Sequence, residues 1–249
     1  METPLPLELQ KQILSLIQIS NALGPDGGFG HKETMGKVLG EAEHFFEKSP
    51  DARLAYWLGI AFRNFTAWHA RGDDRKPYLE KAVFYFGTAL ELGQADDSVP
   101  VRLDRSSRIR GNVDQLMIHG ELGMILVDAP LVRDLDKGIE VLSFVYNNES
   151  DYQPSLCWYA DAFFKKGEFE KAAEVGLALH DRAKNSEKWK AHVPTAPMAT
   201  VASAYRALAK DAKKRGDIQK ARSCFRELVQ LGLASESDWK ALDSLNALT

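Results

Sequence analysis

Residues 168–179 read EFEKAAEVGLAL, and three other stretches of the chain repeat their pattern. In each, acidic or polar residues and a lysine precede a small residue, and apolar residues follow at helical spacing. The four stretches, with their small residues, are YLEKAVFYFGTAL (78–90, Ala82), DLDKGIEVLSFV (134–145, Gly138), EFEKAAEVGLAL (168–179, Ala172) and DIQKARSCFREL (217–228, Ala221). Four versions of one helix in a chain of 249 residues predict a helical repeat protein.

A second kind of helix recurs as well, because WLGIAF (57–62) reappears as WYADAF (158–163). Apolar residues occur at positions i, i+3, i+4 and i+7 along almost the whole chain, which is typical of amphipathic helices. Runs in which apolar and polar residues alternate, as expected for strands, are missing from the sequence. The sequence therefore predicts an all-α protein of about eleven helices.

The segment 153–186 resembles a tetratricopeptide repeat (TPR), and 202–235 resembles another. The first match rests on small, aromatic and turn residues: Ala160, Phe163, Gly167, Phe169 and Ala172. The second match rests on the corresponding set: Leu208, Ala209, Gly216, Ile218, Ala221 and Phe225. The match is weaker in the earlier segments and is weakest in the first fifty residues. The spacing of the small residues is also irregular, and most of the prolines that usually end such repeats are missing.

The resemblance implies a right-handed α-solenoid of about five antiparallel helix pairs that form one domain over residues 1–249. The pairs are expected at 7–48, 52–93, 109–147, 153–186 and 195–235, with a capping helix at 236–248. Stacking of successive pairs would bury their apolar faces, and small residues such as Gly59 and Ala160 would let helices approach closely. A capping box from Ser235 to Asp238 is expected at the start of the last helix. The spacing of Trp239, Leu242 and Leu245 predicts that they lie on one face of this helix.

In this family, one face of the first helix of each repeat lines a concave groove. The matching positions here are Tyr56, Trp57, Ile60, Arg63, Asn64, Cys157, Trp158, Asp161, Phe164, Lys165, Arg206, Lys210 and Lys213. Such a groove would be aromatic in its middle and cationic near one end, which suits an extended or helical peptide with apolar side chains and an acidic end. Packing of both tryptophans between repeats is an equal alternative. The family's Lys/Asn clamp for the carboxylates of chaperone tails is not reproduced, so that activity is not implied.

The glycine-rich stretch GPDGGFGHKET (24–34) invites comparison with a phosphate-binding loop. A P-loop needs a preceding strand and the order GxxxxGK[ST]. The segment before this stretch has a helical pattern, Lys32 does not follow the last glycine, and Glu33 stands where a phosphate would bind. We therefore interpret the stretch as a turn between two helices, in which Gly24 ends the first one.

The sequence offers little support for a metal site or a catalytic site. Glu41 and His44 form an ExxH pair, but a di-iron site needs a second such pair and two further glutamates. The six histidines are dispersed without zinc-ligand spacing, and the GxSxG motif of serine hydrolases is absent from the sequence. Cys157 lies in a repeat helix, where a packed thiol is the natural interpretation. We therefore expect no catalytic residues, metal or cofactor.

Composition narrows the function classes. Apolar residues make up 45% of the chain and charged residues 27%, with a net charge of -3, so neither nucleic acid nor an anionic membrane is expected as partner. Two cysteines far apart, Cys157 and Cys224, fit a reduced cytoplasmic protein. The sequence has no uncharged apolar run near the roughly 20 residues that span a bilayer. Met1–Leu9 lacks a secretory pattern.

The sequence thus predicts a non-catalytic adaptor that binds a protein or peptide partner in a solenoid groove. Two alternatives remain open. In one, the chain is a scaffold that forms homo-oligomers through an unusually apolar terminal pair, 7–48. In the other, the long turns at 24–34 and 93–108 serve a small-molecule or enzymatic role; the second of these carries part of an arginine cluster at 102–110.

Overall fold

A computed structural model of the protein describes residues 6–21, 31–93 and 113–247. Within these ranges the chain forms eleven α-helices and three short 3₁₀ turns and contains no strand, so the all-α prediction is confirmed. The helices are α1 (Leu7–Asn21), α2 (His31–Lys48), α3 (Ala52–His69), α4 (Lys76–Glu91), α5 (Gln115–Asp128), α6 (Leu135–Asn148), α7 (Cys157–Lys166), α8 (Phe169–Asn185), α9 (Ala196–Lys214), α10 (Ile218–Gln230) and α11 (Glu236–Asn246).

Local signals in the sequence account for several helix boundaries. Side chains accept hydrogen bonds from the first backbone amides of their helices at Asp51, Asp114 and Asp217. Ser235 and Asp238 form the predicted capping box of α11, with each side chain bonded to the other residue's amide. The first helix of the predicted pair at 109–147 begins at Gln115, because Asp114 is its N-cap; residues 109–112 lie outside the described ranges.

Two glycines in the left-handed region end helices of the second half. Gly167 (φ +81) follows α7, and Gly216 (φ +76) follows α9. Side chains rarely adopt this conformation, so glycine is the favoured residue at both turns. Each turn leads directly into a helix that packs against the one before it, which makes α7–α8 and α9–α10 antiparallel pairs.

The chain divides into two compact units, residues 1–134 and 135–249. In the first unit α3 is central and packs against α1, α2 and α4, while α5 packs against α4. Gly59 on α3 lies directly against the fully buried ring of Phe86 on α4, since a Cβ atom at Gly59 would lie 2.8 Å from ring carbons. The predicted role of Gly59, to permit close helix approach, is confirmed.

Not every helical glycine serves such a contact. Gly36 and Gly40 in α2 and Gly87 in α4 have open space where a Cβ atom would be. A glycine inside a helix destabilises it by about 0.5–1 kcal/mol relative to alanine. These three positions therefore weaken their helices with no gain in packing.

In the second unit each helix packs against the next, from α6 to α11, and α7 also contacts α9. Ala172 and Ala221 are fully buried, as the repeat pattern predicts. A close approach that the pattern did not predict occurs at Gly176 on α8, where a Cβ atom would lie 2.6 Å from Cγ2 of Val201 and 3.0 Å from the carbonyl oxygen of Pro197. Small side chains thus set the helix spacing at more positions than the repeat motif contains.

Helices α1 and α2 lie within 7–48, α3 and α4 within 52–93, α7 and α8 within 153–186, and α9 and α10 within 195–235. The division between the units falls after Asp134, inside the predicted pair at 109–147, so α5 and α6 belong to different units. Packing of neighbouring helices is observed within each unit. The right-handed superhelix and the single domain over 1–249 stay predictions.

The last helix packs through only part of its predicted apolar face. Leu242 and Leu245 are buried against α9 and α10, whereas Trp239, which the spacing places on the same side of the helix, is 48% exposed. Asp238 takes the inward position instead and is 5% exposed. It is held there by an ion pair with Arg206 of α9.

Arg182 of α8 holds the end of α6. Its Nη1 donates to the carbonyl oxygens of Tyr146 (2.9 Å) and Glu149 (3.1 Å), and its guanidinium lies 4.0 Å from the Tyr146 ring centroid. We expect Arg182→Ala to destabilise the protein by about 1–2 kcal/mol, because two carbonyl groups lose their donor and the cation–π contact is lost. Urea unfolding measures this loss. Lys184→Ala, an exposed change on the same helix, is the control; equal midpoints for the two variants would contradict the role of Arg182.

Candidate functional site

The predicted groove residues fall into two sets, one in each unit. Tyr56, Trp57, Arg63 and Asn64 lie on α3 of the first unit. The others lie on α7 and α9 of the second unit: Trp158, Asp161, Phe164, Lys165, Arg206, Lys210 and Lys213. Because α7 and α9 pack against each other, the second set is brought onto two adjacent helices.

On α3, the aromatic positions are mainly internal. Tyr56 is 3% exposed, and Ile60 is also buried. Burial, and then the charge of Glu121, raise the pKa of Tyr56, so the phenol stays neutral. Trp57 is half-buried, with its ring edge-to-face to Tyr56 at 5.3 Å, and its buried Nε1 donates to no atom of the described residues. Tyr56 is therefore a core residue rather than a contact for a ligand.

The cation on α3 is already paired. Arg63 Nη1 donates to the carboxylate of Glu121 on α5, and its Nε and Nη2 donate to Oδ1 of Asn64 at 3.3 and 3.2 Å. The side chains of Arg63 and Glu121 are 27% and 26% exposed. Most donors of this guanidinium are directed at acceptors within the same unit, so Arg63 offers little to an external anion.

Three residues of α7 form one cluster. Lys165 Nζ lies 2.7 Å from Oδ2 of Asp161 and 5.6 Å from the centroid of the Trp158 ring. All three side chains are half-buried and share a helix face, as their spacing predicts. Phe164 lies beside this face, and its ring is 5.4 Å from that of Phe169 on α8. The surface of α7 therefore combines a partly exposed indole with an ion pair that is internally neutral.

Arg206 of α9 is engaged by the last helix. Its Nε lies 3.1 Å from both carboxylate oxygens of Asp238, and its Nη2 donates to Oδ2 of Asp238 at 2.8 Å and to the carbonyl oxygen of Leu233 at 3.1 Å. The bonds from Arg206 lower the pKa of Asp238 to about 2, and bonds from Ser235 add to this effect, while burial acts in the opposite direction. Arg206 thus links α9 to α11, a role that the groove interpretation did not include.

The remaining cations of α9 are different. Lys210 and Lys213 are exposed, and neither forms an ion pair or a side-chain hydrogen bond with any residue in the described ranges. Lys214 shares both properties. Among the predicted groove cations, positive charge without a partner is therefore concentrated at the end of α9.

Two partners in these ion pairs were missed by the sequence analysis. Glu121 lies 58 residues from Arg63, and Asp238 lies 32 residues from Arg206. Asp238 carried one usable signal, because it is the third residue of α11 and closes the capping box, so its side chain has to face the start of its own helix. Glu121 carried none, since only the packing of α5 against the neighbouring helix α4 brings it near α3.

The other candidate features add no site within residues 6–21, 31–93 and 113–247. The turn at 22–30 and the arginines at 102–110 lie outside the described residues, while α1 before the turn is helical, as predicted. Lys32 and Glu33 are exposed in the first turn of α2. His44 of the ExxH pair is exposed, and its Nδ1 lies 3.7 Å from Glu47. The described helices include none that is both long and apolar enough to cross a membrane.

Both cysteines are free thiols. Cys157 is half-buried and Cys224 is buried, and burial raises the pKa of the Cys224 thiol. A thiol with a raised pKa is a poor nucleophile at neutral pH. Cys224 is therefore a packed thiol, while Cys157, for which the sequence predicts that role, is packed only in part.

Comparisons with known proteins extend the description of the fold. No protein-family model matches the chain, and no curated protein matches it. A solved structure of the S. pombe nuclear import adaptor Nro1 is similar, with a TM-score of 0.53 and 13% sequence identity; the match covers 96% of this chain and 81% of that one. At this identity the likeness concerns the arrangement of helices alone.

Proposed function

We propose that the protein is a non-catalytic helical-repeat module of the TPR type that binds a protein or peptide partner as a cytoplasmic adaptor. Two observations support the proposal: the paired helices of each unit, and the likeness of the fold to that of an import adaptor. The observation that carries it is the surface of α7 and α9, where a partly exposed indole and unpaired lysines lie on packed helices.

The binding surface is formed by Trp158 on α7 and by Lys210 and Lys213 on α9. An apolar side chain of the partner packs on the Trp158 ring, since partly buried aromatic residues often dominate such contacts. An acidic end of the partner lies near the two lysines, which have no internal carboxylate to neutralise them. Asp161 with Lys165, and Arg206 with Asp238, form neutral pairs that frame this surface.

Reversing two charges tests the surface. We expect Lys210→Glu together with Lys213→Glu to weaken partner binding by about tenfold or more and to remove most of its salt dependence. Stability should change little, because exposed charges contribute little to folding. The partner is obtained by affinity capture from native cytosol and mass spectrometry, and its affinity for parent and variant is then measured at low and high salt.

The matched control reverses two exposed lysines elsewhere, Lys48→Glu and Lys184→Glu. It makes the same change in net charge, and it too alters a lysine in the last turn of a helix. A partner that loses affinity equally for both double variants responds to net charge and not to this surface. A partner that binds the Lys210/Lys213 variant as tightly as the parent would place its site elsewhere.

Self-assembly through the pair 7–48 is less well supported. The apolar side chains of these helices that are fully buried include Ile13, Leu16 and Ile17. The exposed positions of α2 are mainly polar or charged, among them Lys37 and Glu41. The outer surface of α2 is therefore polar, which does not favour an obligate apolar interface, whereas α1 exposes Leu7 (69%).

A further inference from the structure

Positive charge at the end of α9 is spread over several side chains. Lys210, Lys213, Lys214 and Arg215 are all exposed. At 1.5 Å of rise and 100° of rotation per residue, Lys213 and Lys214 lie about one turn beyond Lys210 and on either side of it. The Cα atoms of the three lysines therefore form a triangle, with sides of about 5 Å (210–213), about 6 Å (210–214) and about 3.8 Å (213–214). The triangle is a surface patch rather than a pocket.

Among the described residues, the acidic side chains near Lys210, Lys213 and Lys214 form no ion pair with these lysines. Asp211 is half-buried on the same helix, and Asp217 caps α10 by accepting a bond from the amide of Lys220. Lys220 bonds to Glu170 at 2.8 Å and lowers its pKa, and the charge of Arg215 adds to this effect. Arg215 is therefore partly compensated by Glu170, whereas Lys210, Lys213 and Lys214 carry the charge of the patch.

Two side chains of α7 and α9 that could bind a single carboxylate, Arg206 and Lys165, already bind carboxylates of the protein. Firm recognition of one carboxylate needs fixed donors, preferably an arginine that offers two parallel bonds. Arg206 is bound to Asp238, and Lys165 is bound to Asp161. The cations that remain at the surface are Arg215, whose charge acts on Glu170, and the flexible, hydrated ammonium groups of the three lysines. One exposed ion pair with such an ammonium group changes an affinity by about fivefold at most.

We propose that the acidic part of the partner is a run of two or three side-chain carboxylates and not a lone C-terminal carboxylate; the proposal rests on the proposed function. Several weak ion pairs are needed if the acidic end of the partner is to raise the binding affinity tenfold. The spacing fits, because alternate residues of an extended peptide are about 6.7 Å apart and positions i and i+4 of a helix about 6 Å.

An acidic peptide fits the patch better than a nucleic acid does. Single-stranded nucleic acids are bound by cations combined with aromatic side chains on which bases stack. On the face of α9 that carries Lys210, the preceding positions are Ala199 and Ser203, which offer no stacking surface, and Tyr205 packs against the core of the second unit. The partly exposed ring of Trp158 lies on α7 under the ammonium group of Lys165 and does not form a row of aromatic side chains with the lysines. The net charge of -3 also shows that the patch is a local feature of an acidic chain.

Three labelled peptides with the same apolar half test the proposal. The first ends in Glu-Glu-Glu with an amidated C-terminus, the second in Gln-Gln-Gln with an amidated C-terminus, and the third in Gln-Gln-Gln with a free carboxylate. We expect fluorescence anisotropy to show that the full-length protein binds the first about tenfold more tightly than either of the others. Lys210→Ala with Lys214→Ala should reduce that advantage to about threefold or less, and Lys48→Ala with Lys184→Ala should not.

Each other result overturns the proposal. Equal binding of the first and third peptides means that one carboxylate is enough. Equal binding of all three means that the patch does not recognise charge. A single-stranded oligonucleotide that binds more tightly than the first peptide, and loses affinity in the Lys210/Lys214 variant, makes nucleic acid the occupant. In the first two cases a captured protein partner that still needs Lys210 and Lys213 leaves the proposed function standing, so the two failures are distinguishable.

Discussion

Phe86→Ala is expected to destabilise the first unit by about 3–5 kcal/mol. The ring is fully buried, lies edge-to-face with Tyr56 at 5.8 Å and packs directly on Gly59. Removing the ring loses the free energy gained by burying its apolar surface. It also leaves a cavity between α3 and α4, which pack against each other. Urea unfolding followed by far-UV circular dichroism measures the loss. A shift of less than about 1 kcal/mol would contradict this packing.

Alanine substitutions at two glycines of α3 and α4 should have opposite effects on stability, because only at Gly59 would the new Cβ atom meet the ring of Phe86. Gly59→Ala should cost about 1–3 kcal/mol, because its Cβ would lie 2.8 Å from ring carbons of Phe86 that have no room to move. Gly87→Ala on α4 should stabilise by about 0.5–1 kcal/mol, since it meets open space. In a Phe86→Ala background the penalty at Gly59 should vanish, because the clashing ring is gone. Independent, additive losses would contradict the contact.

Asp238→Ala should destabilise the docking of α11 by about 2 kcal/mol. The buried carboxylate accepts bonds from Arg206 and from the amide and hydroxyl of Ser235, so its loss removes the ion pair and half of the capping box together. The value stays below that of a fully buried pair, because the Arg206 side chain is 40% exposed. Glu236→Ala, which breaks an exposed pair with Lys240, is the control and should cost at most about 0.5 kcal/mol.

This pair also makes a prediction about pH. The folded-state pKa of Asp238 is about 2, below the ordinary value of 3.8, because the charged form is bonded to Arg206. Its contribution to stability is therefore fully present above about pH 4 and is lost as the pH falls through about 2. Asp238→Asn should make the unfolding free energy less steep in that window, relative to Glu236→Gln. An identical acid profile for the two variants would contradict the ion pair.

Much of the fold could be predicted from sequence because its determinants are local. Helical spacing gave the helices, and the Ser235–Asp238 pattern gave the start of α11. The repeat pattern also identified Gly59 and Ala172 as close-contact positions. Gly176 was missed because its contact, with Val201 and Pro197 on the next helix, depends on how α8 and α9 are registered, and no spacing within one helix specifies that register.

The candidate site was less predictable. Spacing correctly places Trp158, Asp161 and Lys165 on one face, because residues three and four apart are neighbours on a helix. Spacing does not say which cations find a carboxylate on another helix. Arg206 and Lys210 look equivalent in sequence, yet one is bound to Asp238 and the other is exposed. That difference arises only when α11 docks on α9 and α10 and brings its first turn beside Arg206.

The two open glycines of α2 have a consequence for the native-state dynamics of the first unit. Gly36 and Gly40 together make α2 about 1–2 kcal/mol less stable than it would be with alanines at both positions. No neighbouring atom of the described residues within 4 Å would prevent a Cβ atom at either position. The free energy needed to open α2 locally is lowered by that amount, while α3, with Gly59 locked against Phe86, is not weakened in this way. Amide hydrogens of α2 therefore exchange with solvent before those of α3, and partial opening of the first unit begins at this helix.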